Sequence, residues 1–222
     1  MDTLSFVVDK YHLHPVIGRA SSQLQWYWDY TEIPNISRAD LAKLFAELGF
    51  RRGVEIGTER GIYAQILCEC NPELQLSCVD PWAVYDGGKG YRLDATPELV
   101  NACYVEAQVR LKFYQCELIR DFSVPAAKLF QDESLDFVYI DGNHSLPYVI
   151  ADLAAWVPKV RPGGIVSGHD FRQYLEQRHS HVVEALYAYT RAYEITPWFV
   201  LGAKSGGRRD TYRSWFFVKS SS

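Results

Sequence analysis

Residues 51–61 read Arg-Arg-Gly-Val-Glu-Ile-Gly-Thr-Glu-Arg-Gly, and Cys78-Val79-Asp80-Pro81-Trp82 follows about one strand–helix–strand unit later. A short apolar run closed by Glu55-Ile56-Gly57 is a buried strand that opens into a glycine turn, and a helix beginning near Gly61 aims its N-terminus back at that turn. Asp80 then ends the next strand, where a carboxylate can accept hydrogen bonds from both hydroxyls of a ribose. Together the two stretches describe a nucleoside pocket.

Outward from this pair, strand and helix signals alternate along the chain, the pattern of an α/β fold with a parallel sheet covered on both faces. Strands are expected at residues 53–56, 75–79, 112–119, 135–140 and 164–168, and helices at 61–70, 96–109, 124–130, 145–157 and 176–189. Ahead of the glycine turn, Ser37 reads as a helix cap, with Leu41, Leu44, Phe45 and Leu48 at helical spacing until Gly49. In the helix after Ser145, Leu146, Val149, Ile150, Leu153 and Val157 form one apolar stripe. Two aromatic strands, 194–201 and 214–219, close the chain around a glycine-rich loop. Residues 1–36, with Trp26, Tyr27, Trp28 and Tyr30 but no clean periodicity, form a lead-in that could act as a lid, and 37–222 form the domain. The loop Asp86-Gly87-Gly88-Lys89-Gly90 is placed to close over a ligand.

Composition sets limits. The 222 residues suffice for one domain with a full core, and the 48% apolar and 23% charged content is that of a soluble globular protein. A formal net charge of -4 argues against bulk binding to nucleic acid or an anionic membrane surface, and favours small-molecule substrates. No apolar run reaches membrane-span length and the first eleven residues lack a signal-peptide pattern, so a cytoplasmic location is expected. Cys68, Cys70, Cys78, Cys103 and Cys116 suggest free thiols, without a disulfide framework or a four-ligand zinc site.

A dinucleotide fingerprint requires a second glycine where the backbone approaches a pyrophosphate, and here Thr58-Glu59 stands in that place. An added negative charge disfavours a nicotinamide-dependent oxidoreductase. Glu55-x-Gly57-x-x-x-Gly61 with an acid-ended second strand instead resembles the first two motifs of the class I S-adenosylmethionine-dependent methyltransferases. The resemblance implies a Rossmann-like sheet of seven strands in the order 3-2-1-4-5-7-6, strand 7 antiparallel. It also implies that Glu55, Gly57, Thr58 and Gly61 carry the amino acid end of the cofactor S-adenosylmethionine and that Asp80 binds its ribose. Trp82 could line the adenosine site. Asp121, Phe122 and Ser123 lie where the family contacts adenine, though Ser123 also reads as a helix cap.

Ligands of open α/β sheets bind beyond the carboxyl ends of the strands, and two such places are unusually polar. Ile140-Asp141-Gly142-Asn143-His144 ends the fourth expected strand and Gly168-His169-Asp170 ends the fifth. With Asp152, Trp156 and Arg161-Pro162-Gly163-Gly164 between them, this stretch resembles metal-dependent small-molecule O-methyltransferases acting on natural-product sugars and catechol-like acceptors. In that subgroup the corresponding residues hold a divalent ion, here Asp141, His169 and Asp170. Magnesium is usual, whereas an imidazole at His169 suits manganese, iron or cobalt better. His144 takes the place of a general base, with Asp141 beside it. Three readings stay open: a metal-assisted O-methyltransferase, a metal-independent methyltransferase in which Asp141 and Asp170 are structural, and a cofactor-binding protein without transfer. The partner is a small-molecule acceptor. Trp26, Tyr27, Trp28, Tyr85 and Trp198 could wall its site or form a homo-oligomer surface. His179 and His181 read as surface residues.

Overall fold

A computed structural model describes residues 2–14, 30–87, 95–172, 180–202 and 212–220. Among these, β1 (Thr31–Ile33), β2 (Arg52–Ile56), β3 (Gln75–Val79), β4 (Cys116–Ile119), β5 (Leu135–Ile140), β6 (Val160–Gly168), β7 (Trp198–Leu201) and β8 (Trp215–Val218) form one sheet. Its order is β1-β7-β8-β6-β5-β2-β3-β4. β8 runs antiparallel to β6 and β7, and the other pairings are parallel. Without β1 this is the order expected above.

The sheet has eight strands where seven were expected. β1 lies in the stretch read as a lead-in and pairs with β7, Thr31 opposite Phe199 and Ile33 opposite Leu201. Three residues are too short for an alternating pattern to show, and only Ile33, 2% exposed, faces the core. The same stretch carries α1 (Thr3–Tyr11), capped by the Asp2 side chain. Trp26, Tyr27 and Trp28 lie outside the described residues.

Six further helices, α2 (Arg38–Glu47), α3 (Ile62–Cys70), α4 (Pro97–Leu111), α5 (Ser123–Ala127), α6 (Leu146–Trp156) and α7 (Val182–Ala192), flank the sheet. Alternation along β5 explains why both faces are covered: Val138 and Ile140 pack with Val149, Leu153 and Trp156 of α6, while Phe137 and Tyr139 pack with Phe45 of α2 and Tyr63 of α3. Ser37 and Asp40 form a reciprocal capping box that starts α2.

β4 begins at Cys116, four residues later than expected, because α4 runs on to Leu111 and a turn follows in which Phe113 is 85% exposed. β6 begins earlier, at Val160, and β7 begins at Trp198. Residues 88–94, 173–179 and 203–211, which include most of two glycine-rich loops and His179, lie outside the described residues. The cysteines are free, with Cys68 and Cys116 sulfurs 3.3 Å apart. No described helix is long and apolar enough to cross a membrane.

Candidate active site

The chain winds from β2 outward through β3 to β4, then returns to lay β5 on the other side of β2. Between β2 and β5 the direction of winding reverses, which leaves a crevice at their carboxyl ends. Gly57 crosses it with φ of 87°. Its N–H donates to Val79 O at 2.8 Å, while the N–H of Asp141 donates to Ile56 O at 2.8 Å. A Cβ on Gly57 would collide with the Asp141 carbonyl. The glycine is therefore demanded by the crossing of two chain segments as well as by its left-handed backbone.

Glu55 precedes this crossing and is 2% exposed. Burial pushes its carboxyl up to about 8. Its Oε2 and the Thr58 hydroxyl are buried without a hydrogen-bond partner among the described residues. Such orphans at a strand end call for a ligand, and an ammonium group would satisfy the carboxylate. Gly61, with φ of 72°, starts α3, and a Cβ there would press on Leu111 of α4.

Asp80 is 5% exposed and already engaged: its Oδ2 accepts the Glu59 N–H at 3.0 Å and its Oδ1 the Trp82 N–H at 2.7 Å. The Trp82 indole donates to Glu59 O at 2.7 Å and packs with Cys103 and Ala107 of α4. Asp80 thus ties the glycine turn to its own loop while lining the cavity. Trp82 does not line that cavity; it braces the turn from behind.

The cavity, about 280 Å³, opens beside Gly57 and Asp80 and is lined mainly by apolar groups, with Phe122 and Val124 on one side and Pro147 and Tyr148 on the other. Tyr85 meets Phe122 edge-on at 5.0 Å between ring centres. Asp121 accepts the N–H of Phe122, and the Ser123 hydroxyl accepts the Trp156 indole N–H at 2.8 Å. Phe122, not Ser123, occupies the cap position of α5. The size and the exposed aromatic face suit a nucleoside.

Beside this cavity, Asp141, His144 and Asp170 each offer one atom within 4.8 Å of the others. Asp141 follows β5, and Asp170 follows β6 with φ of 56°, a conformation Asp tolerates better than most residues. His144 Nε2 lies 3.0 Å from Asp170 Oδ2 and 3.6 Å from Asp141 Oδ1. His169 Nδ1 lies 3.4 Å from Asp170 Oδ2 and 3.7 Å from Asp141 Oδ2. Burial works against charge on both imidazoles, yet the two carboxylates raise them above the usual histidine range. Burial likewise opposes ionisation of Asp170, but His169 and His144 hold its carboxyl low. The Nε2 atoms of both histidines are buried without an aligned hydrogen bond among the described residues. Arg38, at the start of α2, brings Nη1 to 3.7 Å from Asp141 Oδ2.

The compact set includes His144 where the sequence pointed to His169 as the third ligand, and His169 stands at its rim. Two carboxylates and an imidazole around one point fit a divalent ion of the manganese or iron type. Arg38, Asn143, Tyr148 and Asp152 escaped the site reading. Asn143 is 5% exposed, its amide donating to Gly87 O at 2.8 Å and its oxygen accepting from Ser145 N at 2.9 Å. With Tyr148 donating to Asp86 O at 3.2 Å, this ties the described start of the 86–90 loop to the end of β5. Tyr148 and Asp152, one helical turn apart on α6, were signalled by their polarity within an apolar run. His181, read as a surface residue, is partly exposed and also caps α6: its Nδ1 accepts the Leu146 N–H at 3.1 Å.

The fold and this strand-end geometry agree with the comparisons. The chain belongs to the methyltransferase domain family, whose profile matches residues 54–171. Its fold is that of the class I S-adenosylmethionine-dependent methyltransferases. Uncharacterized protein y4gI of Sinorhizobium fredii is 29% identical over 124 residues, 54% of this chain but only 13% of that protein's length. Among solved structures, the chain is similar to the O-methyltransferase from Bacillus cereus in complex with SAH, at 16% identity and TM-score 0.59, over 98% of this chain and 90% of that one. It is also similar to the N-methyltransferase NodS from Bradyrhizobium japonicum, at 15% identity and TM-score 0.54, over 83% and 95%. At these identities the likeness concerns the fold.

Proposed function

We propose that the chain O-methylates a hydroxyl of a small molecule, with a divalent ion held by Asp141, His144 and Asp170 beside the cofactor cavity. The observation that carries this reading is the convergence of those three side chains at the ends of adjacent strands, next to a nucleoside-sized cavity. S-adenosylmethionine supplies a methyl group on a sulfonium, and a divalent ion would lower the pKa of an acceptor hydroxyl. The chain's own task is to bring the acceptor oxygen close and in line with that methyl, and to draw off its proton. Glu55 would hold the cofactor's ammonium, Asp80 its ribose, and Phe122 would lie against its base. The likeness to the Bacillus O-methyltransferase supports an oxygen acceptor, while the likeness to NodS keeps nitrogen in view.

Arg38 favours a second reading. Its guanidinium puts positive charge beside Asp141 without an ion. In that case His144, oriented by Asp170, takes the acceptor proton directly. Turnover across a panel of phenols, catechols and sugars, with chelator and with added manganese, decides between the readings. Loss of activity with chelator and its return with manganese supports the metal reading. Chelator-insensitive turnover that disappears in His144→Ala supports the second. Cofactor binding without transfer to any acceptor, with or without metal, leaves the non-catalytic reading.

A further inference from the structure

The cofactor cavity is apolar over most of its wall, yet one buried acid from α6 opens into it. Asp152 is 4% exposed and lines the cavity together with Ser123, Val124 and Ala151. It sits in the run Leu-Pro-Tyr-Val-Ile-Ala-Asp-Leu-Ala-Ala-Trp, where its neighbours Val149, Leu153 and Trp156 belong to the core. A carboxyl group there costs stability unless polar partners serve it. Ser123 serves it in part: its hydroxyl accepts the Trp156 indole N–H and gives its one proton to Asp152. The Asp152 Oδ2 atom lies on the Gly142 side of the cavity, 3.7 Å from where a Cβ on Gly142 would stand. The group thus borders the cavity with more hydrogen-bonding capacity than the one proton of Ser123 can satisfy.

Resting on the cofactor reading above, we propose that Asp152 reads the edge of the adenine ring, its carboxyl group accepting a hydrogen bond from the exocyclic amine and donating one to the adjacent ring nitrogen. Adenine presents a donor and an acceptor side by side, and a carboxylic acid presents the matching acceptor and donor. An ionised carboxylate can only accept and would face the ring nitrogen's lone pair. The site favours the acid form: burial pushes the Asp152 carboxyl up to about 7, with Ser123 opposing the rise. Phe122 offers a face to the ring, so base and edge would be held by different elements, α5 and α6.

The sign of the pH effect follows. Below about pH 7 the acid form is present and Asp152 contributes both bonds; above it, the donated bond is lost and its contribution to affinity falls. The other titratable groups facing Asp152 across the cavity are Asp80 after β3, Tyr85 in the next loop and Tyr148 one turn earlier on α6. All three remain in an Asp152→Asn variant, whose amide copies the acid's donor and acceptor without titrating, so the difference from wild type isolates Asp152.

The test is calorimetric binding of S-adenosylhomocysteine to the full chain between about pH 6 and about pH 8. Relative to Asp152→Asn, which lacks the titrating group, wild type should weaken by about tenfold over that range, because the ionisation of Glu55 acts on both proteins alike. Asp152→Ala should bind at least about tenfold more weakly at low pH. A ratio of wild-type to Asp152→Asn affinity that does not change between about pH 6 and about pH 8, or an Ala variant that keeps full affinity, would overturn the assignment alone. Absence of wild-type binding at every pH would overturn the cofactor reading with it.

Discussion

His144 Nε2 stands 3.0 Å from Asp170 Oδ2, across the gap between the ends of β5 and β6. Asp141 lies within reach of the same imidazole, and neither contact is an aligned hydrogen bond. Groups drawn together without hydrogen-bond alignment fit a shared cation. Manganese should therefore bind the wild-type chain in calorimetry, and Asp141→Asn or Asp170→Asn should each weaken it by at least about tenfold. Unchanged manganese binding in both variants would place the ion elsewhere.

Glu55 links stability to cofactor binding. Its carboxyl rises from 4.5 to about 8 on folding, so the folded state holds the proton longer than the unfolded chain does. Stability from this group is full below pH 4.5 and declines as pH rises towards about 8. Glu55→Gln should remove that decline and raise the unfolding free energy at neutral pH by on the order of 2 kcal/mol. The same change should weaken S-adenosylhomocysteine by about tenfold or more, because its ammonium loses a carboxylate. Thermal melts across pH, with and without ligand, check both halves.

At Gly57, substitution by alanine should disturb the crossing of β2 and β5 before it disturbs any ligand. The new methyl group meets the Asp141 carbonyl and the backbone is left-handed. A loss of about 2 kcal/mol or more is expected in denaturant melts of the ligand-free chain. A fully stable Gly57→Ala variant would mean that the two segments can move apart.

Asp80→Ala should damage two things at once. It strips the partners from the N–H groups of Glu59 and buried Trp82, which should cost about 2 kcal/mol in the ligand-free chain, in addition to lost ribose contacts. Trp82→Phe separates them. It removes the indole bond to Glu59 but touches no cavity-lining atom, so it should lower the melting temperature with only a few-fold loss of affinity.

The sheet order followed from the resemblance, and the run of strand and helix signals made it plausible, because buried parallel strands of five or six residues separated by amphipathic helices leave a clear periodic trace. β1 left none: three residues inside an aromatic stretch carry too little pattern. Asp80, Asp141 and Asp170 were legible because each follows a strand end, and strand ends can be counted. The direction of a side chain there cannot be counted. His144 and His169 differ in which one completes the compact cluster only through the turn after β5 and the left-handed backbone at Asp170. For Trp82 both lining the adenosine site and packing stayed open, because its packing against α4 depends on a helix about twenty residues further along the chain. Arg38 reaches Asp141 from a helix that precedes every motif, a contact that spacing does not reveal.

On the reading proposed above, the crevice beside Glu55, Gly57 and Asp80 holds the amino acid and nucleoside ends of S-adenosylmethionine. Calorimetric titration of the wild-type chain and Glu55→Gln with S-adenosylhomocysteine, with NAD as control, tests it most directly. Saturable one-to-one binding to the wild type is expected, with binding to the variant weaker by about tenfold or more and none of NAD to either. Equal affinity in the two proteins, or preference for NAD, would contradict it.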